Sequence, residues 1–172
     1  MHIILETPRL ILRRFTSSEA DAALIFELNR DPEVLKYLHE PALQDTHHAM
    51  EILNTIILPQ YEINLGRWAT HLKTTNQFIG WCGLKQRPEL NETDLGYRFK
   101  PSAWGKGYAT EAAAATLEYG FEILQLKTII GRAHVQNLSS LSVLKKIGMK
   151  YIGEGIVDDC PVKTYEATNH SF

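Results

Sequence analysis

A chain of 172 residues is long enough for one domain with a full hydrophobic core and short for two. Its 44% apolar and 22% charged residues are globular values, which argue against a disordered or membrane-embedded chain. The net charge is −2 and no run of Lys and Arg exceeds the pairs Arg13–Arg14 and Lys145–Lys146, so no nucleic-acid footprint is expected.

The first element is a β-type run, RLILRRF (9–15), and the TSSE that follows reads as a capping box formed by Thr16 and Glu19. A helix through about Asn29 is predicted, burying Ala20, Ala23, Leu24 and Leu28. DPEVLKYL restarts a helix with Asp31 as N-cap and Pro32 in its first position. A third, HHAMEILNTIIL, is capped by Asp45 or Thr46 and ended by Pro59. Three β-rich runs (67–73, 78–86 and 93–99) come next, separated by TTNQ and RPELNE, which is the spacing of an antiparallel meander. A glycine loop then opens a helix to about Leu126. A strand at 127–135, a helix at 139–148 closed by Gly148, and strands at 149–156 and 162–168 complete the chain. With no linker, repeat or low-complexity segment, this order predicts a single α+β domain over residues 1–172, built on one mixed sheet.

Cys82 and Cys160 lack metal-ligand spacing and read as reduced thiols of a cytoplasmic protein. No apolar run approaches the roughly 18 residues of a membrane span, and the N-terminus lacks a signal-peptide core. No His/Cys/carboxylate cluster has metal spacing, so no metal is expected. His47 and His48 are adjacent and cannot face one way on a helix, while His71 and His134 read as structural histidines in strands. Gly120, inside an alanine-rich helix, reads as a site of close packing on the sheet.

The stretch KPSAWGKGYATEAA (100–113) carries the chemistry. A P-loop needs glycine where Lys100 stands and Ser or Thr where Gly107 stands, and a dinucleotide fingerprint needs Gly or Ala at Thr110. Two readings are left: a tight turn, or a strand–loop–helix in which Gly105 and Gly107 let the backbone approach a pyrophosphate and the amides of residues 105–110 neutralise it.

In context the stretch DLGYRFKPSAWGKGYATEA resembles the central motif of the GNAT acyltransferases, in particular the RimJ/RimL-like branch. That family's Gln/Arg-x-x-Gly-x-Gly/Ala loop aligns with Trp104, Gly105, Lys106, Gly107, Tyr108 and Ala109, with Trp104 in place of the usual Gln or Arg. LETPRLILRRFTSSEADAALIFELNRDPEVLKYL is similar to the branch's N-terminal signature, and NLSSLSVLKKIGMKYIGE to its Asn-x-x-Ser segment, with Met149 in place of Phe.

The resemblance implies a GNAT fold, with a mixed, mostly antiparallel sheet of about seven strands flanked by helices. Its co-substrate would be acetyl-CoA, with the pyrophosphate on residues 104–110, including Tyr108, Ala109 and Thr110. The pantetheine would pair with the edge of Tyr97-Arg98-Phe99, where a backbone N–H polarises the thioester, the kind of donor worth about 3–4 kcal/mol. Asn137 matches the position that holds the pantetheine, and it equally suits a helix N-cap. Ser140 matches the serine near the sulfur, as a proton donor or only a cap. Asp94 takes the place of a cleft carboxylate and is the first choice of general base, with Glu92 or a water chain as alternatives. The acceptor would be a primary amine, a protein N-terminus in the best-known branch members, or a polyamine, amino acid or aminoglycoside. A non-catalytic acyl-CoA sensor on the same fold is a further alternative. No nucleic acid, membrane or metal partner is implied, and the state is monomer or homodimer.

Overall fold

A computed structural model describes residues 1–170 of the chain. Its centre is an eight-stranded sheet in the order β1-β2-β3-β4-β5-β6-β8-β7. The strands are β1 (Ile3–Glu6), β2 (Leu10–Arg14), β3 (Gly66–Leu72), β4 (Phe78–Arg87), β5 (Glu92–Phe99), β6 (Thr128–His134), β7 (Lys150–Val157) and β8 (Cys160–Thr168). The helices are α1 (Glu19–Asn29), α2 (Pro32–Leu35), α3 (Thr46–Ile52), α4 (Tyr108–Glu122) and α5 (Leu138–Lys146). The antiparallel meander is β3–β4–β5, as its turn spacing predicts, and β5 with β6 is the one parallel pair. The strand not anticipated is β1, which pairs with β2 through a register irregularity between Ile3 and Leu5.

Three helix readings shift. The N-cap of α1 is Ser18 rather than Thr16: its Oγ accepts from the Asp21 amide at 3.2 Å. Asp21, not Glu19, turns back, accepting from the Thr16 amide at 2.7 Å while its other oxygen meets Arg13 at 2.8 Å. That buried pair turns α1, so Ala22, Ile25 and Leu28 face the sheet, whereas Ala20 and Ala23 are exposed. Pro59 does not stop the third helix. Capped by Asp45, α3 passes into a π-helical turn (Leu53–Ile57) and a 3-10 segment (Leu58–Ile63), where Pro59 sits in the first turn and its missing N–H costs nothing. Finally, α4 ends at Glu122, because Gln125 takes a φ of 54° and its side chain donates to the Phe121 and Glu122 carbonyls.

The two faces of the sheet are covered differently. One carries α4 and α5: Gly120 of α4 lies so close to Ile129 and Leu84 that an added Cβ would come within 2.6 Å of Ile129 Cδ1, which bears out the reading of close packing. The Cys82 thiol beneath it meets Thr116 Oγ1 at 3.4 Å. The other face carries α1, joined to it by Arg13–Asp21 and Arg98–Asn29. Among the described residues no helix is long and apolar enough to cross a membrane.

Candidate active site

The site begins where the sheet splits. β5 pairs with β4 along its whole length but with β6 only at Asp94/Ile130 and Leu95/Gly131. The bond from the Lys100 amide to the Ile79 carbonyl sets the alternation of the β4–β5 ladder. Leu95, Tyr97 and Phe99 therefore direct their peptide groups away from β4, and beyond Leu95 that edge has no strand partner. Tyr97 and Phe99 are the residues that offer it N–H donors. Arg98 between them turns its peptide groups to β4 and its side chain to α1, where it donates to Asn29 and meets Glu40 at 3.2 Å.

From the end of β5 the chain enters the glycine loop. Gly105 and Gly107 have φ values of 72° and 80°, the left-handed region that glycine adopts at little cost. Gly107 is the N-cap of α4 and brings no side-chain cap, so the amides of Gly107, Tyr108, Ala109 and Thr110 have no intrahelical partner. The first bond of the helix is Glu111 N–H to the Gly107 carbonyl, 3.0 Å. Four amides at the positive end of a fifteen-residue helix make an electrostatic environment that favours an anion. The side chains of the loop look after its shape. Trp104 Nε1 donates to the Phe99 carbonyl at 2.9 Å, and Lys106 Nζ to the Ser102 carbonyl at 2.9 Å.

A brace missed by sequence reasoning supports the loop. Arg9 donates to the Lys106 carbonyl (2.9 Å) and to Glu111 (2.6 Å), and its guanidinium lies 4.5 Å from the Tyr108 ring centre. Thr7 adds a 2.6 Å bond to Glu111. Burial alone would raise the Glu111 carboxyl, but the bonds from Thr7 and Arg9 outweigh it and hold the group below its ordinary range. Arg9 thereby neutralises a carboxylate that would otherwise repel an anion. The partners lie 102 residues apart, and no local pattern signals them.

Across the split, α5 opens with Asn137, whose side chain accepts from the Ser140 amide at 3.2 Å. Asn137 is thus the N-cap of α5, and Ser140 is not. Replacing Asn137 with Ala should cost about 1 kcal/mol of stability, read in a urea titration. The Ser140 hydroxyl lies 2.9 Å from the Tyr97 hydroxyl, which itself donates to the Ser140 carbonyl at 3.0 Å. Between the two hydroxyls either oxygen can be the donor, so the Ser140 proton is not committed to Tyr97. Burial pushes the Tyr97 phenol far up, so it stays protonated.

On the opposite face of β5 stands Asp94. Burial raises its carboxyl to about 6, against the pull of Arg132 and Arg87. Its Oδ1 is sealed from solvent without a partner, and so are Nε and Nη1 of Arg132. Glu92, the alternative base, is committed to Arg132 Nη2 at 2.7 Å. Trp81 lies on the same face, its ring 4.7 Å from the Arg67 guanidinium and 5.6 Å from that of Arg98.

Of the histidines, His71 is structural: Nδ1 contacts the Asn76 carbonyl and Nε2 accepts from Arg13. Among the described residues the fold assembles one trio that sequence spacing did not reveal, His39, His134 and Cys160, with ligand atoms within 4.8 Å of one another. Two of its atoms are already engaged, His134 Nδ1 by the Gln136 amide and the Cys160 thiol by the Tyr37 carbonyl.

An open strand edge, a helix end with four unpaired amides and a buried carboxyl raised toward neutrality thus lie around the same split in the sheet. A family model described as acetyltransferase (GNAT) domain matches residues 9–150. The protein YkkB of Bacillus subtilis is 32% identical, over 97% of this chain and 96% of its own length. The uncharacterized N-acetyltransferase p20 of Bacillus licheniformis is 30% identical, over 90% of this chain and 85% of its own. Among solved structures, a GNAT-family acetyltransferase from Bacillus anthracis superposes with a TM-score of 0.80 at 26% identity, covering 98% of this chain and 99% of that one.

Proposed function

The chain belongs to the acetyltransferase (GNAT) family, and from that premise we propose that, as one domain, it carries the acetyl group of acetyl-CoA to an α-amino group by direct attack in a ternary complex. Its N-terminal signature and Asn-x-x-Ser segment favour the RimJ/RimL-like branch, whose best-known acceptors are protein N-termini. The observation that carries the reading is Asp94: a largely buried carboxylate with an unpartnered oxygen, beside the unpaired edge of β5.

Acetyl-CoA brings an activated thioester, and the residues present suit it. The amides of Gly107–Thr110 hold the pyrophosphate, with Gly105 free of any atom within 4 Å of a would-be Cβ. The edge N–H groups of Tyr97 and Phe99 pair with the pantetheine and donate to the carbonyl oxygen. Asp94 takes a proton from the acceptor ammonium, directly or through water. A carboxylate near 6 suits an α-amine of pKa about 7.8, roughly a third neutral at pH 7.5, far better than a lysine-type amine that is about 0.1% neutral.

Ser140 gives its hydroxyl proton to the departing thiolate and regains one from water, its oxygen held 2.9 Å from the Tyr97 hydroxyl. Ser140→Ala should lower kcat about 100-fold, while Tm stays near wild type because Asn137 still caps α5 and Tyr97 keeps its bond to the Ser140 carbonyl. Normal kcat in a stable variant would remove Ser140 from the chemistry. The reading as a whole is tested by acetyl-CoA consumption across peptides, amino acids, spermidine and aminoglycosides. Turnover with α-amines above the others is expected, and cofactor binding without turnover on any amine would leave an acyl-CoA sensor instead.

A further inference from the structure

Strand register places Arg67, Trp81, Asp94, Gly96 and Arg98 on one face of β3–β4–β5: Arg67 stands opposite Gly83, Gly83 opposite Gly96, and Trp81 opposite Arg98. Nearly every arginine of this protein has a partner. Arg13 pairs with Asp21, Arg87 with Glu89 and Asp158, Arg98 with Glu40, and Arg132 with Glu92. Arg14 donates to the Tyr61 carbonyl and Arg9 holds Glu111. The Arg30 side chain has neither a hydrogen bond nor an ion pair but is exposed. Among the described residues Arg67 alone is a half-buried arginine whose side chain has neither, and its guanidinium lies over the Trp81 ring.

We propose that Arg67 is an anion anchor in the acceptor site, and that the acceptor is a small amino-acid-like molecule carrying a carboxylate within a few bonds of its amine. This narrows the α-amine acceptor of the reading above from a protein N-terminus to a free amino-acid-like molecule, and it rests on that reading, since the amine end is assigned to Asp94. Two side chains of opposite charge share the face, and neither makes a hydrogen bond or an ion pair with the protein. Their Cα atoms stand two strands and two residues apart, roughly 12 Å by sheet geometry, so one small zwitterion can span the distance left between the side-chain heads. The floor between them is low: Gly96 has no side chain, and a Cβ there would come 3.3 Å from the Trp81 ring.

The planar fork of a guanidinium matches a carboxylate bidentately. A polyamine fits poorly, because its second ammonium would approach the like charges of Arg67 and Arg98. The state of Arg67 agrees. Burial, then the neighbouring Arg98, depress its guanidinium to about 10, a penalty that a bound anion would relieve.

The experiment compares amino acids with their decarboxylated amines (phenylalanine with phenethylamine, methionine with 3-methylthiopropylamine) and with spermidine, in wild type, Arg67→Met and Arg67→Lys. In wild type the carboxylate-bearing member of each pair should show kcat/KM higher by about 10–100-fold, the worth of hydrogen bonds to a charged group. Arg67→Met should bring that ratio close to one, and Arg67→Lys should retain part of it. The Tm of Arg67→Met should equal or exceed wild type, since Met keeps the packing on Trp81 and an unpaired charge is lost, whereas a merely structural arginine would leave a less stable protein.

If amines are acetylated with no preference for the carboxylate, or the preference survives Arg67→Met, the anchor is overturned while acetyl transfer stands. If no amine is acetylated, acetyl transfer falls. Calorimetric titration of the same amino acids into the CoA-bound protein then still decides the anchor. Binding lost in Arg67→Met supports it, and no binding, or equal binding to both proteins, overturns it.

Discussion

Asp94→Asn is expected to lower kcat/KM by about 100- to 10,000-fold at pH 7, the range of a lost general base. The wild-type profile should fall on its acid side with an apparent pKa near 6 as Asp94 gains a proton, and that limb should vanish in the variant. Raising the pH toward the pKa of the acceptor should restore part of the loss, because a free amine needs no base. A deficit of the same size at every pH would assign Asp94 to binding instead. Stability should move the opposite way to activity. With a folded pKa above the unfolded one, the native state keeps a proton between about pH 4 and 6 that the unfolded chain has released. Asp94 therefore costs nothing below about pH 4, costs progressively more as pH rises through 6, and costs its full amount above, up to about 3 kcal/mol. Asp94→Asn should melt higher than wild type at pH 7.5 and at the same temperature at pH 4. A variant that is less stable at pH 7.5 would mean that the carboxylate holds the sheet together.

Gly107→Val is expected to weaken acetyl-CoA by at least about 100-fold, a loss of roughly 3 kcal/mol of binding. At a φ of 80° a β-branched residue is strained by about 1–3 kcal/mol, and the four amides of the α4 end are displaced as the backbone relaxes. Its Cβ would also stand 3.3 Å from Arg9 Nη2, disturbing the brace that ties the loop to Glu111. Gly105→Ala is the useful comparison, since its Cβ would meet no atom within 4 Å and only the φ of 72° resists it. Its affinity should fall much less. Calorimetry on both, with circular dichroism to establish that each is folded, separates binding from folding. Unchanged affinity in Gly107→Val would remove the loop from phosphate binding.

Local pattern made much of this protein legible. The meander, the glycine loop and the helix behind it lie in consecutive residues, where turn chemistry and the need for left-handed glycines are local properties. Of the predicted α1 face Leu28 is buried and Leu24 half-buried, but Ala20 and Ala23 are exposed, because Arg13 reaching Asp21 helps orient the helix, a contact invisible to helical periodicity. Strand β1 escaped although three of its four residues are apolar, because so short a run does not by itself distinguish strand from helix. Asn137 suited both a cap and a ligand role in sequence, and the fold uses it as a cap. Ser140 suited both an acid and a cap, and the fold turns its hydroxyl to Tyr97 instead of the helix end.

The sequence by itself determined the order of elements, the loop with its two left-handed glycines, and the residue types available for acyl transfer, because each depends on neighbours within a turn or a strand. Tertiary structure alone decided which of those residues meet. Ser140 meets Tyr97 across 43 positions, Arg132 meets Glu92 across 40, and Arg9 meets Glu111 across 102. Strand register puts Arg67 on the face of Asp94, and the divergence of β6 after Leu95 leaves the β5 edge open. Burial, a property of the whole fold, lifts Asp94 toward neutrality and lowers the Arg67 guanidinium. Charges and pairings of that kind depend on distances that close only when the sheet is assembled, so no window of sequence contains them.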